Sequence, residues 1–346
     1  MEDIMEKKNI DWGSLGFGYI ATDKRYVSNY KNGAWDEGTL TEDATVTISE
    51  CAGVLQYAQT VFEGLKAYTT EDGRIVVFRP DLNDARIHDS ALRLEIPALP
   101  EGMFFDAVEQ VVKANAAWVP PFGSGASLYL RPFIFGISPV IGVKTAQEYQ
   151  FRLFATPVGP YFKGGVKPLT IKISDFDRAA PCGTGHIKAG LNYAMSLHAI
   201  VTAHNEGFDE NMYLDAATHT KVEETGGANF LFVTKDGKVV TPKSSTILPS
   251  ITRRSLMIVA KEYLGLEVEE REVYREELED FAECGLCGTA AVISPVGKVV
   301  DHGKEICFPA GMTSMGPVTQ KLYDTLTGIQ MGRIEDKFGW TKTIIG

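Results

Sequence analysis

Lys188 stands in the segment CGTGHIKAGLNY, among Gly183, Gly185 and Gly190. Glycines let backbone approach a ligand closely. A lysine in such a loop is a candidate amine for covalent carbonyl chemistry, which needs a desolvated nitrogen of lowered pKa. The segment is not a Walker A loop, because no Gly-Lys-Ser/Thr follows the glycines at the required spacing. Taken alone it fits a solvated loop lysine better. A second segment, VEETGGANFLF, sets the adjacent carboxylates Glu223 and Glu224 before a Gly-Gly turn and a strand. A buried glutamate there would keep a cationic ring nitrogen protonated, but on this segment alone an exposed acidic turn is the better reading. In ILPSITRRSLMIVAKEYLG a helix start offers free amides and a dipole to an anion, with Thr252 adding a hydroxyl; capping by Ser250 explains the same residues. Finally, Cys284 and Cys287 form a C-x-x-C pair with His302 and Cys307 downstream, a pattern for a zinc site or a redox pair, interrupted by the strand-like GTAAVISPVGKVV.

These groups need a scaffold. At roughly 150 residues per domain, 346 residues make two domains or one large one. With 44% hydrophobic and 23% charged residues the composition is that of a globular protein. Thirty-four Lys and Arg against 45 Asp and Glu leave a net charge of −11, which repels phosphate backbones and anionic lipid. No nucleic-acid or membrane partner is expected. MEDIMEKKNIDWG lacks the apolar run of a secretory signal, and no stretch reaches ~20 apolar residues. Five cysteines, an odd number, suit a reducing cytosol. A cytoplasmic protein is expected.

Helical and strand-like patterns alternate, an α/β or α+β arrangement. RIVVFRP reads as a strand ending in a turn at Pro80, followed by a helix with Leu82, Ala85, Leu92 and Ile96 on one face. Phe104, Val108, Val111 and Val112 mark the buried stripe of the next helix. SLYLRPFIFG, YQFRLFATPV and LTIKIS read as strands, and Ala194, Leu197, His198 and Val201 as one helix face. ANFLFVTKDGKVVTP is a hairpin turning at Asp236-Gly237. A helix runs from about Ser250 to Leu264 and stops at Gly265. A last one carries Val318, Leu322, Leu326 and Ile329. TPVGPYFKGGVKP breaks any element, placing a smaller N-terminal domain over 1–156, an interdomain loop over 157–168 and a larger domain with Lys188 over 169–346.

In order, LQYAQTVFEGLKAY, FRPDLNDARI, SLYLRPFIFG, GPYFKGG, DRAAPCGTGHIKAGLNY, EETGGANFLF, ILPSITRRSL and CGTAAVISPV resemble the branched-chain amino acid aminotransferases, two-domain pyridoxal 5'-phosphate enzymes of fold type IV. The resemblance implies reversible transfer of the amino group of leucine, isoleucine or valine to 2-oxoglutarate. It implies that Lys188 carries the cofactor as a Schiff base and shuttles the proton. Glu224, chosen over Glu223 by its spacing to Asn229, would face the pyridine nitrogen, and Tyr193 the phenolic oxygen. Arg79, Leu248, Ile251 and Thr252 would hold the phosphate, and Arg178 would lie near the cofactor. Thr289 and Ala290 resemble the turn that takes the α-carboxylate. Phe62, Tyr129 and Tyr161 resemble the apolar pocket walls. Arg131, held by Tyr129, would pair with the γ-carboxylate of glutamate and turn aside for leucine. Tyr57 and Val143 match residues supplied by a partner subunit, so a homodimer is implied. GPYFKGGVKP matches the loop that closes over substrate.

Two departures stand out. Mammalian relatives carry a redox C-x-x-C just after the Gly-Thr-Ala turn; here Cys284 and Cys287 precede it, so no redox switch is carried over. Gly227 replaces a common threonine or serine near the cofactor. Same-fold alternatives are a D-amino acid aminotransferase or an aminodeoxychorismate lyase, generally shorter and not expected to combine FEGLKAY, SLYLRPFIFG and CGTAA. The alternative from another class is a thiol-redox or zinc-binding protein.

Overall fold

β-Branched and aromatic runs, which fit a pleated half-buried surface, set most of the elements. The computed structural model describes residues 6–159 and 166–346. By internal contacts the chain forms two units. One holds the chain up to the 156–168 segment together with Lys188–Gly190 and Ile329–Gly346; the other holds the remainder. The two returning segments depart from a division in chain order, and Lys188–Gly190 belongs with the first unit rather than with the chain that flanks it. Half of the expected loop at 157–168, residues 160–165, lies outside the described residues, and Pro157 and Val158 still belong to a strand rather than to a loop.

Among the described residues the first unit carries a nine-stranded sheet. Its strands are β1 (Arg25–Lys31), β2 (Ala34–Trp35), β3 (Thr39–Thr41), β4 (Thr60–Phe62), β5 (Leu65–Thr69), β6 (Ile75–Phe78), β7 (Ser127–Gly136), β8 (Tyr149–Val158) and the C-terminal strand Thr341–Ile345. The order is C-terminal strand, β6, β5, β7, β8, β1, β2, with β3 on β1 and β4 on β7, antiparallel throughout. The short helix α1 (Gly53–Tyr57) precedes β4, and α2 (Pro80–Arg93) and α3 (Met103–Ala114) follow β6. α3 buries Phe104, Val108, Val111 and Val112 as expected.

α2 corrects the sequence reading. Pro80 does not turn the chain; it opens the helix, where its missing N–H costs nothing. The buried face is Pro80, Asn83, Arg86, Ile87, Ser90 and Ala91, while Ala85 and Leu92 are exposed and Ile96 lies beyond the helix end. A polar stripe faces inward because each member has a buried partner, described below.

The second unit holds an eight-stranded mixed sheet: β9 (Leu169–Ile173), β10 (Glu210–Met212), β11 (Asn229–Thr234), β12 (Val239–Pro242), β13 (Val268–Arg271), β14 (Phe281–Gly288), β15 (Val292–Asp301) and β16 (Lys304–Cys307). The order is β10, β9, β15, β14, β11, β12, β13, with β16 on β15. β9 pairs in parallel with β10 and β15, and β12 with β13. Phe230, Phe232 and Phe281 stack at the centre of its core. Helices α4 (Gly190–Asn205), α5 (Ile251–Glu262) and α6 (Pro317–Gln330) complete the set. On α4 the expected face is the outer one: Ala194, Leu197, His198 and Val201 are exposed, and Asn192, Ser196, Ala199 and Ala203 are buried.

The head of α6 is capped from another element. Glu283 on β14 accepts the N–H groups of Val318 (3.0 Å) and Thr319 (2.8 Å) and the Thr319 hydroxyl (2.6 Å). A Cβ on Gly316 would stand 2.3 Å from that carboxyl group, so only glycine lets the carboxylate reach. Hydrogen bonds to a charged group in a dry site are worth about 1.5–3 kcal/mol. Glu283→Ala is expected to lower the unfolding free energy by about that amount, read from urea denaturation; an unchanged midpoint would refute the cap.

Candidate active site

The backbone of Lys188 is held from two sides. Its N–H donates to Ser90 Oγ on α2 at 3.0 Å, and its C=O accepts the Phe62 N–H at 3.0 Å. Ala189 continues this pairing as a bridge to Val61. The side chain runs over the Phe62 ring, with Nζ 4.8 Å from the centroid, where the negative ring face suits an ammonium. Arg131 also stands over Phe62, 4.9 Å from the same centroid and 5.3 Å from that of Tyr129. Arg131 Nη2 donates to the Tyr129 hydroxyl at 3.1 Å, and its Nε has no partner among the described residues. Among the described residues, two ring faces and one hydrogen bond hold this arginine. Gly64 makes room for the tyrosine: a Cβ there would lie 2.1 Å from the Tyr129 hydroxyl.

Arg79 sits at the head of α2 in the left-handed region, φ 47°, a conformation that costs a non-glycine residue energy. Its N–H donates to the Trp340 carbonyl at 2.7 Å, and its guanidinium lies 4.8 Å from the Trp340 ring centroid. Tyr57 and Val143 are exposed, with the Tyr57 hydroxyl donating to the Ile141 carbonyl.

In the second unit the organising group is Glu224, 4% exposed. Its Oε1 takes Arg178 Nη2 at 2.7 Å and the Leu248 N–H at 2.8 Å, and its Oε2 takes the Asn229 amide. Asn229 Oδ1 in turn accepts Arg253 Nε at 3.1 Å, and Arg253 Nη1 reaches Glu270 at 2.8 Å. Both oxygens of Glu224 are bonded and an arginine stands beside it, which fixes the orientation of its carboxyl group, while Arg178 Nε has no hydrogen-bond partner among the described residues. Glu223 turns elsewhere, its Oε1 taking the Ser244 and Thr246 hydroxyls.

α5 begins where the sequence placed it. Ser250 caps it by accepting the Arg253 N–H at 3.2 Å, leaving Ile251 and Thr252 as the leading amides, which have no intrahelical acceptor. Tyr193 lies in the first turn of α4, half-buried. Gly227 donates to Thr225 Oγ1 at 3.2 Å, and a side chain added there would meet open space. Between β14 and β15, Thr289 and Ala290 lead into a tight turn in which the Ile293 N–H donates to the Ala291 carbonyl at 2.8 Å. Its central residue, Val292, has φ 64°, which a β-branched residue adopts only under strain.

The expected residues thus gather within each unit: Phe62, Tyr129, Arg131 and Lys188 in the first, and Arg178, Glu224, Asn229 and Leu248 in the second. Tyr161 lies outside the described residues. Cys284 and Cys287, three positions apart on β14, point to opposite faces of the strand and are both buried. Burial pushes the Cys287 thiol up to about 12 and that of Cys284 up as well. Among the described residues no group of three His, Cys, Asp or Glu side chains is placed to hold a metal ion. Sequence reasoning missed Ser90, Gly64, Arg253 and Trp340. The stripe Asn83, Arg86, Ser90, polar at helical spacing, was the one legible signal for the first of these.

Comparison with known proteins shows the family and the fold. Residues 60–299 match the amino-transferase class IV family. The chain is 52% identical over 338 residues to a branched-chain-amino-acid aminotransferase of Haemophilus influenzae, covering 96% of this chain and 98% of that protein. It is similar to the crystal structure of the Escherichia coli branched-chain amino acid aminotransferase, with TM-score 0.78 and 30% identity, covering 93% of this chain and 99% of that one. It is also similar to the crystal structure of the branched-chain aminotransferase of the thermophilic archaeon Thermoproteus uzoniensis with norvaline, with TM-score 0.77 and 27% identity over 94% of this chain and 100% of that one.

Two outcomes follow from the geometry. Removing the cation beside a buried carboxylate costs about 3–5 kcal/mol, so Arg178→Met should lower stability in chemical denaturation by that order; a change within error would show that Glu224 does not depend on the pair. Because only the thiolate reacts, Ellman's reagent at about pH 8 should label exposed Cys182 and Cys307 in the native protein and reach Cys284 and Cys287 only on unfolding. Rapid native labelling of the latter two would revive a thiol function.

Proposed function

The chain belongs to the class IV aminotransferase family, and from that premise we propose how its side chains carry out reversible transamination of branched-chain amino acids with 2-oxoglutarate. Bound pyridoxal 5'-phosphate would supply an electron sink for the pair left when the substrate α-proton departs. The donor set fits such a group: a buried, ionised glutamate to match a ring cation, an arginine and a helix start for a phosphate, and a lysine amine for a carbonyl carbon.

In this reading Lys188 Nζ holds the cofactor through its carbonyl carbon. When free, the same amine would take the proton from the substrate α-carbon and, in the reverse direction, give it back there. Glu224 keeps the ring nitrogen protonated, and Arg178 and Asn229 keep Glu224 ionised and aimed. Tyr193 donates to the phenolic oxygen. Arg79 and the amides of Ile251 and Thr252, with Leu248 ahead of them, hold the phosphate. Thr289 and Ala290 take the α-carboxylate at the strained turn.

Phe62 and Tyr129 line the apolar side-chain pocket, and Arg131 pairs with the γ-carboxylate of glutamate. The seating of Arg131 on two ring faces and one hydrogen bond supports that double use, since a branched aliphatic chain needs the guanidinium withdrawn. Exposed Tyr57 and Val143 are assigned to the neighbouring subunit's site, making the enzyme a homodimer. Five free cysteines support a cytoplasmic location. The observation that carries the reading is Lys188 itself: a peptide clamped at both polar atoms beneath a side chain that stays half-exposed.

The test is optical. Protein loaded with pyridoxal 5'-phosphate should show a visible band that L-leucine bleaches and 2-oxoglutarate restores. Lys188→Ala should lack the lysine-bound band and lose about 10²–10⁴-fold or more in turnover. A band indifferent to L-leucine, with turnover of D-alanine instead, would replace this substrate assignment. Sedimentation should give the mass of two chains.

A further inference from the structure

We propose that Ser90 is a positioning residue for Lys188, anchored by the Glu63–Arg86 pair on the same helix face. The observation is a closed circuit of bonds. On α2, Arg86 Nε and Nη2 donate to the two oxygens of Glu63 at 2.7 and 2.8 Å, and Asn83 Nδ2 adds a third bond at 2.7 Å. Glu63 is wholly buried and adjoins Phe62 in the chain. The Phe62 N–H donates to the Lys188 carbonyl, the Lys188 N–H donates to Ser90 Oγ, and Ser90 lies one turn along α2 from Arg86. The circuit therefore returns to its starting helix. Any displacement of the Lys188 peptide must lengthen one of its links.

That rigidity has a use. On the reading given above, on which this inference rests, the Lys188 side chain alternates between holding the cofactor and moving a proton. The amine can travel between two positions only if the peptide it hangs from stays fixed, because misplacement of about 1 Å costs about 10²-fold. Ser90 is fully buried, so no solvent replaces its hydroxyl when it is removed. Neither Ser90 nor Glu63 touches the reacting atoms in this assignment; each acts through Lys188.

Ser90→Ala tests the proposal. In the apo-protein, hydrogen exchange at the Lys188 amide should accelerate. In the loaded protein, the single-turnover reaction with L-leucine should slow about 10- to 100-fold, with leucine affinity within about twofold, and the pH midpoint of the visible band should move. Faster amide exchange with wild-type turnover rate and midpoint would overturn the proposal, leaving Ser90 as a partner for a buried N–H and nothing more. Ser90→Cys keeps the volume but offers a far weaker acceptor. It should fall between wild type and alanine, and it carries the test if the alanine variant does not fold. A wild-type protein that ignores both cofactor and leucine would overturn the reading of Lys188, and this inference with it. A responsive wild type with an indifferent Ser90 variant overturns the inference alone.

Discussion

A carboxylate taken out of water must be answered by charge or by several aimed donors, and this requirement organises both units. Glu63 is answered by Arg86 and Asn83, and the answer fixes α2 against the strand that carries Phe62. Glu224 is answered by Arg178, Asn229 and the Leu248 amide, which joins β11, the turn before α5 and the segment ahead of Lys188. Glu283 is answered by the head of α6. In each case one glutamate ties together pieces of chain that are far apart in sequence. The groups assigned to catalysis then hang from those ties: Lys188 from α2, and the carboxylate assigned to the ring nitrogen from its own arginine.

The same requirement explains what could be read from the sequence and what could not. α3 was legible because its contacts are apolar, and apolar periodicity is what reveals a helix face. The hairpin at Asp236-Gly237 and the start of α5 at Ser250 were legible because turn and cap chemistry are local. α2 was misread because its inner face is polar. Periodicity favoured Leu82, Ala85, Leu92 and Ile96, whereas Asn83, Arg86 and Ser90 are buried against partners in other elements. On α4 the four residues read as one face do share a face, and it is the outer one, Leu197 and Val201 included.

The residues of the candidate site divide along the same line. Lys188, Glu224 and Arg79 sit in segments with a recognisable order along the chain, so their roles could be named before any coordinates. Their supporting neighbours could not. Trp340 reaches Arg79 from more than 250 positions away, and Arg253 acts on Glu224 only through Asn229. Nothing in a single sequence marks such pairs, because the bond that joins them exists only after folding.

The return of Lys188–Gly190 to the first unit has a consequence for heredity. The chain leaves that unit, comes back for three residues, leaves again, and comes back once more at Ile329. A gene cut at the boundary segment would therefore hand the lysine to the wrong fragment, and no single breakpoint would separate two self-sufficient modules. The halves of this protein cannot be shuffled into new partnerships the way beads on a string can.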